Sequence, residues 1–134
     1  MLFEVERKAP IKDAKAAHVR ALIPKLRSDG PSSWATLTDN QGNYLQVAGG
    51  GVTCMLEWRD TANQRHHRAH LGAPSKVFPD GTILSFSGGE VTLRADEWLT
   101  AAMVEEAFLA FLNGDPMPAS LQWRDISSMF ENLD

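Results

Sequence analysis

The sequence predicts an α+β fold, an antiparallel sheet of about six strands packed by two helices on one face. Three observations carry that expectation. Apolar and polar residues alternate with period two in short segments between Leu2 and Arg94. Turn-forming strings such as Asp39-Asn40-Gln41-Gly42-Asn43 separate those segments. Near each end, one stretch shows the spacing of an amphipathic helix instead. With 134 residues, 43% hydrophobic and 22% charged, the chain has the size and composition of a single globular domain, 1–134.

The elements follow in order. Leu2 to Arg7 alternates with Phe3 and Val5 on the inner face, a short strand. Asp13 is a suitable cap for a first helix with the stripe Val19, Leu22, Ile23, Leu26, and Pro24 should end or kink it near Ile23. Trp34–Thr38 and Tyr44–Ala48 flank the Asp39–Asn43 loop as a hairpin. Gly49-Gly50-Gly51 reads as a flexible turn, since no Lys-Ser/Thr follows and no helix starts there to cradle a phosphate.

Val52–Arg59 and the segment after it form the next hairpin. With Asp60–Asn63 as a four-residue loop, Arg59 faces Gln64 and Glu57 faces His66. Val52, Cys54, Leu56 and Trp58 then share the inner face with Ala69 and Leu71. Thr53, Met55, Glu57 and Arg59 share the other with Gln64, His66, Arg68 and His70. Ile83–Phe86 and Val91–Arg94 make a further hairpin around Gly88-Gly89. The second helix starts at Thr100, with Leu99 and Val104 placed as a hydrophobic staple, and closes at Asn113-Gly114 before Pro116. Trp58 falls in a core row, whereas Trp98 lies outside any stripe.

Charge narrows the function classes. The formal net charge is −4, but residues 1–29 carry a net +3 and residues 90–134 a net −7. A nucleic-acid binder needs clustered Lys and Arg, so that class is disfavoured, and the acidic third is suited instead to a basic protein partner. No stretch approaches the roughly 18 consecutive apolar residues of a membrane span. Charge appears after three residues, so the first segment does not read as an export signal. A single cysteine, Cys54, excludes an internal disulfide and suits a reducing compartment, so the expected location is cytoplasmic.

Reactive constellations are sparse. His66, His67 and His70 with Glu57 have the chemistry of zinc ligands, but on a strand His67 points away from the other two and His66 to His70 spans roughly 13 Å. Glu57 opposite His66 is either an acid–base pair or a cross-strand polar pair. Cys54 falls among inward residues and reads as a buried, inert thiol. No cofactor motif is present, and the residues themselves point to no catalytic or metal site.

The string Tyr44-Leu45-Gln46-Val47-Ala48-Gly49, then Leu56-Glu57-Trp58-Arg59 and His67-Arg68-Ala69, leads to Ala107-Phe108-Leu109-Ala110-Phe111-Leu112-Asn113-Gly114 and to Pro118 with Trp123-Arg124-Asp125. Together these resemble small bacterial immunity proteins of polymorphic toxin systems, of the immunity protein family 1 type, over residues 34–125. The resemblance implies a non-enzymatic protein that binds a cognate toxin domain in the producing cell and covers its active site or substrate surface. It implies a basic, nucleic-acid-attacking toxin as the partner, met by carboxylates drawn from Glu57, Glu90, Asp96, Glu97, Glu105, Glu106 and Asp115. The alternatives are a regulatory interaction module outside any toxin system and a small enzyme built on Glu57 with His66 or His70.

Overall fold

A computed structural model of the chain describes residues 1–130. Six antiparallel strands form the main sheet in the order β1-β2-β3-β4-β5-β8: β1 (Leu2–Val5), β2 (Trp34–Thr38), β3 (Tyr44–Gly50), β4 (Thr53–Asp60), β5 (Arg65–His70) and β8 (Gln122–Asp125). A separate two-stranded ribbon pairs β6 (Thr82–Phe86) with β7 (Gly89–Leu93). Two helices, α1 (Ala16–Leu22) and α2 (Ala101–Asn113), complete the α+β fold.

Three layers result, and strand periodicity shows which residues face which layer. On β3 and β4 the buried residues Leu45, Val47, Cys54 and Leu56 pack with Val19 of α1 and Val104, Ala107 and Phe108 of α2. Their neighbours of opposite parity, Ala48 and Met55, pack with Leu84 and Leu93 of the ribbon and with Trp98. Helices and ribbon therefore lie on opposite faces of the sheet. The ribbon's own core is closed by Phe78 stacking on Trp98, ring centroids 4.3 Å apart.

The helix ends follow local chemistry. Thr100 caps α2, its Oγ1 accepting from the Met103 amide, and Gly114 ends it in the left-handed region at φ 72°. Helix α1 stops at Leu22 and passes into a single 3-10 turn, Ile23–Lys25, because Pro24 cannot continue the α-helical ladder. Its cap is Lys15, whose amide donates to His18 Nδ1, rather than Asp13, which pairs with the Lys15 ammonium at 3.0 Å.

Other expectations need correction. The β6–β7 hairpin stands apart from the main sheet, and Gln122–Asp125 supplies the sixth strand by pairing with β5. The β4–β5 hairpin is displaced by two residues from the expected register: Arg59 faces His66, and Glu57 faces Arg68. A shift of two preserves the alternation, so the expected face of each strand residue survives although its partner does not. Val52 is the exception, lying in a turn before β4 and 71% exposed.

Gly49 and Gly50 are buried strand residues rather than a flexible turn. A Cβ on Gly50 would stand 1.9 Å from the Leu26 carbonyl oxygen, and one on Gly49 would stand 2.1 Å from that of Thr53. Their role is close backbone approach, of Gly50 to the segment that follows α1 and of Gly49 to the start of β4. Gly50→Ala should therefore lower stability by about 3 kcal/mol or more in urea unfolding. Gly51→Ala, with open space around it but φ 63°, should cost about 1 kcal/mol. Equal costs would contradict the close-approach account.

Candidate functional site

Two clamps fasten the ribbon layer to the sheet. At the ribbon's turn, Glu6 accepts from the Ser33 amide at 2.7 Å and the Ser33 hydroxyl at 2.9 Å, while its other oxygen accepts from the Ser87 hydroxyl. These hydrogen bonds, that from Ser87 foremost, hold the Glu6 carboxyl below its ordinary range.

The second clamp is a buried charge cluster at the end of β7. Glu57 Oε2 accepts from Arg68 Nε at 3.0 Å and Nη2 at 2.8 Å. Arg68 Nη1 lies 3.4 Å from Glu97 Oε1, which also accepts from the Arg94 amide at 2.8 Å. Glu97 Oε2 accepts from Arg124 Nη1 at 2.8 Å, and Arg124 forks onto both oxygens of Asp96 at 3.1 and 2.9 Å. The Glu97 side chain is 2% exposed and that of Arg68 7%. Every charge in this set has an opposite charge bonded to it, and the two most buried also bond the backbone, Arg68 donating to Thr92 O and Glu97 accepting from the Arg94 amide, the condition under which ions tolerate burial. The bond from Arg124 holds the Asp96 carboxyl below its usual range, and bonding to Asp96 raises the Arg124 pKa in return. His70 Nδ1 lies 3.3 Å from Asp96 and accepts the Gly72 amide at 3.2 Å.

Because the clamps hold the ribbon over one half of the sheet, the other half of that face stays open. Its residues form register-aligned rows. Leu2, Thr38, Tyr44, Arg59 and His66 make one row across five strands. Glu4, Thr36, Gln46 and Glu57 begin the next, which runs on into Arg68 and Arg124 of the clamp. Trp34 stands beside the ribbon's edge, where Phe86 and Gly88 wall a cleft of about 420 Å³ floored by Thr36 and Gln46. Trp34, Tyr44, Arg59 and His66 are all partly exposed.

His66 organises the far end of the first row. Its Nδ1 accepts from Arg59 Nη1 at 3.1 Å, so the proton sits on Nε2 and points to the Tyr44 hydroxyl, also at 3.1 Å. Phe130 stacks on the imidazole at 4.2 Å. Burial, and then the Arg59 charge, lower the His66 pKa and favour the neutral ring; burial, and then Glu57, raise that of Tyr44.

The acidic residues singled out in the sequence do not form one surface. Glu57, Asp96 and Glu97 are held in the clamp, and Glu97 is enclosed there. Glu90 projects from β7 on the ribbon layer, whereas Glu105 and Glu106 lie on α2 and Asp115 just beyond it, across the sheet. Glu131 and Asp134, which add to the acidic third, lie outside the described residues. The Glu57–His66 pair does not form, since the observed register gives Glu57 to Arg68. His67 turns to the helix side and stacks on Trp58 at 4.9 Å, and among the described residues no three His, Cys, Asp or Glu side chains are placed to share a metal ion. Cys54 is buried, with its thiol pushed up to about 12 by desolvation. Trp58 lies against the helix-side core and Trp98 in the ribbon core.

The clamps and the open half-face were not legible in the sequence, because their members are brought together by the sheet register. The alternation did mark Glu57, Arg59, His66 and Arg68 as sharing one polar face, which was the available signal. Compared with known proteins, no family model matches the chain and no curated protein matches it.

Removing Glu97 by Glu97→Leu leaves Arg68 and Arg124 short of a buried partner and should cost about 3–5 kcal/mol in urea unfolding; a loss under 1 kcal/mol would contradict the clamp. Because the folded Asp96 carboxyl is held below its unfolded value, its contribution is full above the unfolded carboxylate range and is lost as pH falls through the folded value. Stability measured from pH 7 down to pH 3 should therefore fall less steeply in Asp96→Asn than in the parent. The Cys54 thiol should stay unreactive to a disulfide reagent at pH 8 until the chain unfolds.

Proposed function

We propose that this chain is a toxin-inhibiting immunity protein that acts in the cytoplasm of the producing cell and binds its toxin domain through the open half of the sheet. The observation that carries the surface is the partly exposed set of Trp34, Tyr44 and Arg59, grouped with His66 and Phe130 on one face. Tryptophan, tyrosine and arginine are the residue types enriched at the energetic centres of protein interfaces. A strand surface fastened by two clamps also loses little conformational freedom on docking. The identity of the partner rests on the sequence resemblance over residues 34–125.

This reading changes the expected contact. Three of the seven acidic candidates are neutralised within the chain, and the other four are divided between opposite faces. The partner is therefore met by an aromatic and polar surface in place of a carboxylate field. The proposal asks no chemistry of the chain, and the carboxylate expected opposite His66 is bonded to Arg68 instead.

Affinity capture with the tagged chain from its native host, followed by co-expression, tests this. The captured partner should carry a domain that arrests growth when expressed alone and is harmless together with this chain. Trp34→Ala and Tyr44→Ala should each weaken binding by about 2 kcal/mol, about thirtyfold, with unchanged circular dichroism. Glu105→Ala with Glu106→Ala, on the helix side, should change it less than threefold. A non-toxic partner would overturn the immunity reading, and loss of binding from the helix-side pair alone would overturn the surface.

A further inference from the structure

Where the ribbon meets the open face, the cleft of about 420 Å³ combines two aromatic walls with a carboxylate. Glu4, Thr36 and Gln46 pair in register across β1, β2 and β3, so their side chains form one row of its floor. Neighbouring strands lie about 4.8 Å apart, which sets these oxygens within reach of one bound group. Trp34 stands two residues along β2 from Thr36, on the same face, and Phe86 closes the other side from the end of β6. The position of the Phe86 ring depends on Gly88, where a Cβ would stand 2.6 Å from it. Glu4, Trp34 and Phe86 are each partly exposed.

The carboxylates here differ from those of the charge cluster. Glu57, Asp96 and Glu97 each hold an arginine. Glu4 holds none: among the described residues, no lysine, arginine or histidine nitrogen lies within 4.0 Å of its carboxylate. The last four residues of the sequence, Glu131 to Asp134, include no basic side chain. Glu6, two residues further on, is bonded to an amide and two hydroxyls, and the charge of Arg7 is the weakest of the influences on its carboxyl. The charged groups at the cleft are thus acidic, although residues 1–29 carry a net +3.

We propose that this cleft receives an arginine side chain of the bound toxin domain, whose guanidinium lies against the Trp34 and Phe86 rings and donates to the Glu4 carboxylate and the Gln46 amide oxygen. The source of that arginine rests on the proposed inhibitory function. A planar cation with donors around its edge matches this lining, since the ring faces attract it and the floor offers acceptors at its rim. A lysine ammonium meets the same charge but has no plane to stack on the rings. The contact is one carboxylate flanked by aromatic rings, and it draws on none of the residues of the acidic third.

NMR titration of the full chain with Nα-acetyl-arginine amide, at constant ionic strength, tests the site. The Trp34 indole N–H and the Gln46 side-chain amide should shift saturably, at least fivefold more than the side-chain amide of Gln41, which is exposed in the β2–β3 loop. Glu4→Gln, with unchanged circular dichroism, should weaken the apparent affinity at least fivefold. Nα-acetyl-citrulline amide, close in shape but uncharged, should give no saturable shift. An equal response to citrulline, or no saturable shift confined to the cleft, overturns the inference. An equal response to Nα-acetyl-lysine amide supports a cation site while overturning its assignment to arginine. In the captured complex, Glu4→Gln should weaken binding at least tenfold, and Glu105→Gln, the same charge change on α2, less than twofold. A toxin that is captured with no dependence on Glu4 or on Phe86→Ala defeats this inference alone. Saturable arginine shifts with no toxin captured defeat the proposed function and leave the cation site standing.

Discussion

The buried charge cluster of Glu57, Arg68, Glu97, Arg124 and Asp96 is the interaction on which the arrangement of this protein depends. It joins the middle strand β4 to β5, to the terminal strand β8 and to the chain that leaves β7. Its members cannot be separated without leaving a charge in a poorly hydrated place. Glu97 in particular serves two arginines and the Arg94 amide at once, so the turn after the ribbon has few other ways to sit. Such a cluster adds little net stability compared with an apolar core, but it discriminates strongly between one placement of the ribbon and any other.

That placement decides which surface is left. The ribbon covers Ala48 and Met55 and stops at Trp34, with Phe86 at its edge. On the opposite face the helices bury the remaining apolar residues of the strands. What remains is a half-face of partly exposed aromatic and polar residues, framed by the ribbon on one side and by Ser127 and Phe130 on the other. The same arrangement consumes three carboxylates and leaves Arg59 oriented by His66. The net negative charge of the chain is therefore a poor guide to the charge at this surface.

Local chemistry was readable in the sequence, and long-range pairing was not. Thr100, Leu99, Gly114 and Pro116 mark the bounds of α2 because capping depends on residues within one turn. The sheet's faces were readable because alternation survives a shift of two residues, which is how Glu57 could be placed correctly on its face and wrongly opposite His66. Gln122–Asp125 has no alternating apolar row, and its pairing with β5 spans more than fifty residues of sequence, so nothing local announced it. The charge cluster links residues 11, 27 and 29 positions apart, and its acids looked in sequence like any solvated carboxylates. Gly49-Gly50-Gly51 suggested flexibility because the backbone of Leu26 that fills the space beside Gly50 is distant in the sequence.

The most direct test of the account is a hydrogen–deuterium exchange footprint of the chain with and without its captured partner. The account predicts slowed exchange along β2, β3 and the β4–β5 hairpin tip, with α1 and α2 unchanged. Protection concentrated on α2, with the open half of the sheet exchanging as in the free protein, would contradict it.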